Sequence, residues 1–371
     1  MRLTLRYILA AAVCLAPRAA AAQATGTIIQ PGKNESVSRV ATRGAAFLSL
    51  GIGARALALA GAATVISNDL SAAYWNAGGL ADITVASAMA SHEKFYGNSG
   101  LSNTAVVAAL PALGGVFGLS FISFTSGDMV RTTEYYPDGG DPALGANVRW
   151  NATSVGVHYA RPFTDRLAVG GTLKRATEGI EFASATYYGA DVGVRFRTGL
   201  AGSTLGFSVA NLGSSARMDG PAVQRRVQQC TTPNFPTCRT LDITLRADRL
   251  QLPTSLRFGV QTEIIGGAEA LLAQARGSRH SLMLLTDVTD AIDTRIMPAL
   301  AAEYGFAHRL FFRGGGRWLN DSRLDQGSGI SYTAGGGVAV PLGTRRITVD
   351  YAWRNFGALN DNHVFSFQFG N

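Results

Sequence analysis

Residues 363–369 read His-Val-Phe-Ser-Phe-Gln-Phe. In an extended chain successive side chains point to opposite faces, so Phe365, Phe367 and Phe369 share one face and Val364, Ser366 and Gln368 share the other. In water a strand carrying three phenylalanines on one face is an aggregation hazard. In a bilayer that face is solvated by lipid while the polar face looks into a closed barrel. The stretch is therefore read as the lipid-facing last strand of an outer-membrane barrel. Phe365, Phe367 and above all Phe369, the last aromatic of the strand, resemble the aromatic signal by which such barrels are handed to the barrel-assembly machinery.

The same two-residue alternation runs through much of the chain. It predicts strands near 83–92, 101–110, 115–125, 148–160, 166–177, 186–198, 203–212, 253–265, 280–288, 298–306, 310–319, 329–340, 346–355 and 362–369, an even number as a closed antiparallel barrel requires. Connections after even strands are short, at 111–114, 161–165, 199–202, 307–309 and 341–345, with 266–279 as the exception. Those after odd strands are mostly longer, notably 126–147 and 213–252. With both termini on the periplasmic side, this is the short-turn, long-loop asymmetry of an outer-membrane barrel, and a soluble sandwich has no reason to sort its loops by parity. The fold expected is an all-β transmembrane antiparallel barrel of about fourteen strands over 82–371.

Alternation also assigns sides. Val192, Val194 and Phe196 face lipid where Asp191, Gly193 and Arg195 face the lumen; Leu256, Phe258 and Val260 oppose Arg257, Gly259, Gln261 and Glu263. Ile347, Val349, Tyr351 and Trp353 oppose Arg346, Thr348, Asp350 and Arg354. With Glu303, Arg313 and Arg317 the lumen carries both signs of charge. Two readings stand: mutually neutralising pairs, or a site that binds or conducts a solute.

At the other end, Arg2 and Arg6 precede an apolar run over 7–15, and Ala20-Ala21-Ala22 precede Gln23, a secretory leader over 1–22 with an Ala-x-Ala cleavage site. Val13 before Cys14 is a poor match to a lipoprotein site. Cleavage leaves about 350 residues and takes the formal charge from +8 to +5 by removing Arg2, Arg6 and Arg18. With no lysine-rich run and most arginines single within strands, the basic balance does not point to nucleic acid. The chain is 47% hydrophobic and only 16% charged, yet its best helical span, 44–66, places Arg55 centrally at a cost of about 2.5–3.5 kcal/mol. Average apolarity without spanning helices is the hydropathy signature of a barrel. Cys230 and Cys238, close together in a Pro- and Thr-rich stretch, are expected to form a disulfide in an oxidising compartment. Without a nearby histidine they argue against zinc, and no cofactor or metal is expected.

Residues 43–81 depart from the strand pattern, being small, apolar and without alternation. Such a segment is expected to form short helices inside the barrel as a hatch within the 23–81 extension, since irregular backbone at membrane depth must be enclosed by protein. Phe47, Leu50, Arg55, Asp69, Trp75 and Asn76 are its candidate functional residues, with Arg55 and Asp69 paired in the charged lumen and Asn76 capping a turn. Phe47, Leu48, Leu50, Leu57 and Leu59 either line a greasy pocket or pack on the wall. Gly51-x-Gly53-x-x-Ala56 mimics a dinucleotide fingerprint, but no buried strand precedes it.

Phe-Leu-Ser-Leu-Gly-Ile-Gly-Ala-Arg-Ala-Leu-Ala-Leu-Ala-Gly-Ala-Ala over 47–63, then Asn68-Asp69 and Tyr74-Trp75-Asn76-Ala77-Gly78-Gly79-Leu80, resembles the amino-terminal signature of the PorV/PorQ family of outer-membrane proteins, with Ala77 where the family has proline. Val349-Asp350-Tyr351-Ala352-Trp353-Arg354-Asn355-Phe356-Gly357 with Asn362-His363 resembles its penultimate hairpin, and Glu303-Tyr304-Gly305 with 310–318 the one before. The resemblance implies a fourteen-stranded FadL-type barrel in the outer membrane of a diderm bacterium. Some members receive secreted cargo proteins in type IX secretion, whereas FadL-type relatives admit fatty acids or other hydrophobic molecules through a lateral opening.

Five scattered histidines and the lack of a Gly-x-Ser-x-Gly elbow argue against an enzyme. Two non-enzymatic readings remain. A secretion-associated barrel would dock cargo through its long loops, whose charges differ in sign between 126–147 and 213–252. A transporter would pass a hydrophobic ligand through the hatch. The amino-terminal signature favours the secretion-associated reading. Its partners would be outer-membrane lipid, the assembly machinery and either cargo or ligand.

Overall fold

The computed structural model describes residues 42–370 apart from 98, 144, 231–237, 295, 320–328 and 357–360. The leader over 1–22 and the extension up to residue 41 lie outside the described residues. Fourteen antiparallel strands close into one barrel: β1 (Ser87–Lys94), β2 (Ser102–Ala112), β3 (Gly115–Thr125), β4 (Trp150–Pro162), β5 (Leu167–Ile180), β6 (Ala183–Arg197), β7 (Ser203–Gly213), β8 (Ser255–Ile265), β9 (His280–Ala291), β10 (Met297–Phe306), β11 (Leu310–Leu319), β12 (Gly329–Leu342), β13 (Arg345–Asn355) and β14 (Asp361–Gly370). The ring closes where β1 meets β14, with Ala88 opposite Phe369, Ala90 opposite Phe367 and His92 opposite Phe365. Closure leaves no edge strand.

The wall has two chemistries because alternation has two sides. Outward, Leu119, Phe121, Leu173, Val192, Phe207, Phe258, Phe312, Val349, Phe365 and Phe367 are all exposed. So large an apolar exterior is untenable in water and at home in lipid. Inward, Ser91, Glu93, Asp191, Arg195, Arg257, Asp287, Glu303, Arg313, Asp350, Ser366 and Gln368 are buried. A closed barrel with an apolar exterior and a polar lumen is an outer-membrane architecture, so the long loops are extracellular and the short turns periplasmic. Among the described residues no helix is long and apolar enough to cross a membrane.

Two details differ from the sequence reading. β1 begins at Ser87, not at residue 83, because Ala77–Asp82 form a 3-10 helix and Ile83 is drawn into the core. The extracellular side also has a short turn, Glu181-Phe182 between β5 and β6, with Glu181 at φ 51°. The long loops hold small ladders of their own, Met129–Val130 with Asn147–Val148, Ser215–Ala216 with Leu250–Gln251, and Gln224–Cys230 with Cys238–Thr244. In the first of these loops two hydrogen bonds from Arg149 hold the Asp128 carboxyl below the usual carboxylate range. The 266–279 connection folds back on β8, Leu271 N–H donating to Glu263 O and Leu272 N–H to Ile264 O.

Candidate functional site

Ahead of β1 the chain forms a 3-10 turn (Ala46–Ser49), α1 (Ala54–Ala58), α2 (Ala72–Trp75) and the 3-10 helix Ala77–Asp82. Helices of four to six residues cannot sustain themselves in water. These survive because they are packed inside the barrel. Phe47, Leu48, Ile52 and Leu70 pack with Val107, Ile122 and Tyr187 of the wall, while Leu57, Leu59 and Trp75 pack with Leu285, Ala301 and Val364. Leu50 is half-buried against the first cluster. Between them these side chains fill the lumen with packed contacts.

Short helices and turns expose many backbone N–H and C=O groups that helical bonds leave unmet. No side chain of its own caps α1. Instead Ser91 Oγ accepts from Gly53 N–H at 3.3 Å and Ser366 Oγ from Ala54 N–H at 3.2 Å, while Thr333 Oγ1 donates to Ala58 O at 2.7 Å. Further along, Asp287 accepts from Thr64 N–H, Gln368 from Leu70 N–H and Glu178 from Ala45 N–H. The polar lumen is thus the hydrogen-bond complement of an irregular segment, which hydrocarbon could not supply.

Charges knit the same interface. Arg55 donates from Nε and Nη2 to the Glu303 carboxylate, both at 2.8 Å, and lies 3.9 Å from Asp69. Arg313 bonds Glu303 and Asp350, each at 2.5 Å. These five groups form one chain from the hatch to β10, β11 and β13. Arg195 and Arg197 both bond Asp82 at the end of the hatch, at 2.6 and 2.9 Å. Arg354 bonds Glu93 at 2.8 Å, with Asn362 on the same oxygen. Asp191 bonds Lys174, which also reaches Asn211. Arg257 lies over the rings of Tyr74 and Trp75, 4.9 and 5.1 Å from their centroids, and donates to both backbone carbonyls. Arg317 reaches the hatch at Gly61, where an added Cβ would strike its guanidinium.

Asn76 is the densest anchor. Its Nδ2 donates to Thr64 O at 2.7 Å and to Val194 O at 2.9 Å, and its Oδ1 accepts from Gly78 N–H at 3.0 Å. Trp75 Nε1 donates to Ile52 O at 3.0 Å. The wall is glycine where this segment touches it: a Cβ at Gly193 would run into Asn76 Oδ1, and one at Gly170 into the Ala77 backbone. Sequence reasoning missed Asp82, Glu93, Lys174, Glu178 and Asp287. Phase with Met89 and Ser91 would have turned Glu93 inward, but nothing local marks the partners of the others.

Beneath the Arg55–Glu303–Arg313 chain lies a cavity of about 270 Å3 opening toward the short turns, lined by charged groups including Asp69, Glu263, Arg346 and Asp350. Glu263 faces this cavity across from the paired charges that line it. In the extracellular loop Cys238 is disulfide-bonded, and Cys230 is its register partner on the facing strand. Among the described residues no group of His, Cys, Asp or Glu is placed to hold a metal ion.

Fold and lumen together define a plugged fourteen-stranded outer-membrane barrel. No protein-family model and no curated protein matches the chain, so the PorV/PorQ resemblance finds no counterpart there. Solved structures do match. The toluene transporter TbuX of Ralstonia pickettii is 12% identical with a TM-score of 0.53, over 86% of this chain and 98% of that one. The Pseudomonas putida toluene transporter TodX is 10% identical with a TM-score of 0.51, over 86% and 99%. The CymD monoaromatic hydrocarbon channel is 9% identical with a TM-score of 0.50, over 86% and 96%. At such identities the likeness is one of fold, the FadL type of outer-membrane barrel.

Proposed function

We propose that this barrel admits small hydrophobic molecules across the outer membrane, with the segment over 45–83 as its movable hatch. The observation that carries the reading is the way the lumen is filled. The plug meets the wall through apolar packing and through hydrogen bonds and ion pairs, and water entering beside a displaced plug can take over the polar partners that each side gives up. Displacing it opens a passage whose lining keeps the apolar surfaces now in contact. The proteins that share the fold are described as toluene transporters and a monoaromatic hydrocarbon channel, which favours this reading over the secretion-associated role implied by the amino-terminal signature.

Uptake of radiolabelled toluene tests it, in outer-membrane-bearing cells that express the chain against the same cells without it. Faster initial uptake, saturable with unlabelled toluene, supports the reading. Equal uptake across a series of small hydrophobic molecules of increasing size contradicts it.

A further inference from the structure

The lipid-facing surface carries a groove of about 610 Å3 that neither the hatch nor the lumen requires. Its floor is small, Ala88 of β1, Ala108 of β2 and Gly118 of β3, and Leu110, Phe117 and Phe369 rise around it. Ala88 is the second residue of β1 and the register partner of Phe369, so the groove straddles the closure seam near the periplasmic ends of the strands. At its rim stands Arg345, the first residue of β13, exposed, with its guanidinium carbon 5.2 Å from the Phe369 ring centroid. Among the described residues it makes no ion pair with a carboxylate.

A hollow in an apolar wall forfeits dispersion contacts unless something of its own shape fills it. A cation at a strand end sits at the depth of lipid headgroups, where Arg and Lys meet anionic phosphates. A guanidinium offers phosphate two parallel hydrogen bonds. We propose that the groove seats one acyl chain of a periplasmic-leaflet phospholipid, whose phosphate is held by Arg345. The occupant is fixed by charge and depth together: an apolar channel at one end and a single exposed cation at the interface match a phospholipid's two halves.

The test is native mass spectrometry of the full-length barrel, purified in mild detergent, stripped of lipid and titrated with phosphatidylglycerol. Expected is saturation at one retained lipid, with binding roughly tenfold weaker in Ala88→Leu, which fills the floor, and in Arg345→Gln, which removes the rim charge. Arg345→Gln should leave the binding of diacylglycerol, which has no phosphate, unchanged. Wild-type binding in both variants, a ladder of lipids that never saturates at one, or barrel dimers in place of a lipid adduct would each overturn the proposal. Heat-modifiability on gels checks that the variants are assembled, and if Ala88→Leu does not assemble, Arg345→Gln decides alone.

Discussion

Arg55 and Glu303 stand 248 positions apart and meet in the lumen, the arginine's Nε and Nη2 each donating to one oxygen of the carboxylate at 2.8 Å. Glu303 also carries Arg313, and Arg313 carries Asp350. One carboxylate therefore bonds the hatch cation and a wall cation at once. A bidentate charge-assisted pair of this kind fixes orientation as well as position.

Glu303→Ala takes from Arg55 its two shortest bonds, leaving it Asp69 at 3.9 Å, and leaves Arg313 with Asp350 alone. Removing one partner of a buried pair costs about 3–5 kcal/mol. The loss should fall on the hatch, because the barrel ladder stands without it. Hydrogen exchange is expected to show faster exchange over 50–70 with strand protection kept; slowed exchange of the hatch, or loss of strand protection with it, would refute the assignment.

Gly193 owes its identity to the close approach of Asn76. Gly193→Ala is expected to push the Asn76 side chain off Val194 O and Thr64 O and to raise protease cleavage within 64–80, whereas Val192→Ala, on the lipid side one position away, should not. Because a buried donor left unmet costs about 1–3 kcal/mol, Asn76→Ala should produce the same cleavage pattern. Resistance in both lumenal variants would show that this anchor does not hold the hatch.

Removing residues 369–371 deletes the pairings of Phe369 with Ala88 and with Ile347. The chain then closes its seam one rung short and lacks its terminal aromatic. The yield of heat-modifiable barrel in the outer membrane is expected to fall severalfold; normal yield would place the assembly signal elsewhere.

Cys238 lies in a hairpin that stands clear of the barrel wall, every described residue of Cys238–Thr244 being exposed. Cys238→Ser should therefore cost local stability only, about 2–3 kcal/mol or less. The expected result is an unchanged barrel melting transition with faster cleavage between 224 and 244. A lowered barrel transition would mean that the bridge supports the wall.

Alternation reads one side of a wall from the other, and in β14 or β13 a single glance at Phe365 or Val349 places its neighbours. It says nothing of where the register slips. Between β6 and β7 the pairing shifts after Ala190, and Asn211 takes φ 62° beside Asp191, a kink that looks in sequence like unbroken strand. The hatch was visible as a stretch without alternation, but its partners were not. Arg55 to Glu303, Asp82 to Arg195 and Ala54 to Ser366 are meetings created by ring closure, and no local pattern encodes them. The loop ladders escaped for the same reason that short strands do: two to seven residues without a buried face carry no period.

Whether the hatch must move for a hydrophobic molecule to pass is tested most directly by locking it. A Cβ at Gly315 lies 3.1 Å from the Ala60 Cβ and 2.9 Å from the Ala301 Cβ, so a disulfide, which spans about 3.5–4.5 Å, forms once the residue 315 backbone eases away from both. In the Ala60→Cys, Gly315→Cys double variant, toluene uptake is expected to fall to the level of cells without the barrel when oxidised and to return on reduction, while the parent protein is indifferent to reductant. Uptake that is equal in the oxidised and reduced double variant, with the bond shown to be formed by mass, would contradict passage through a movable hatch.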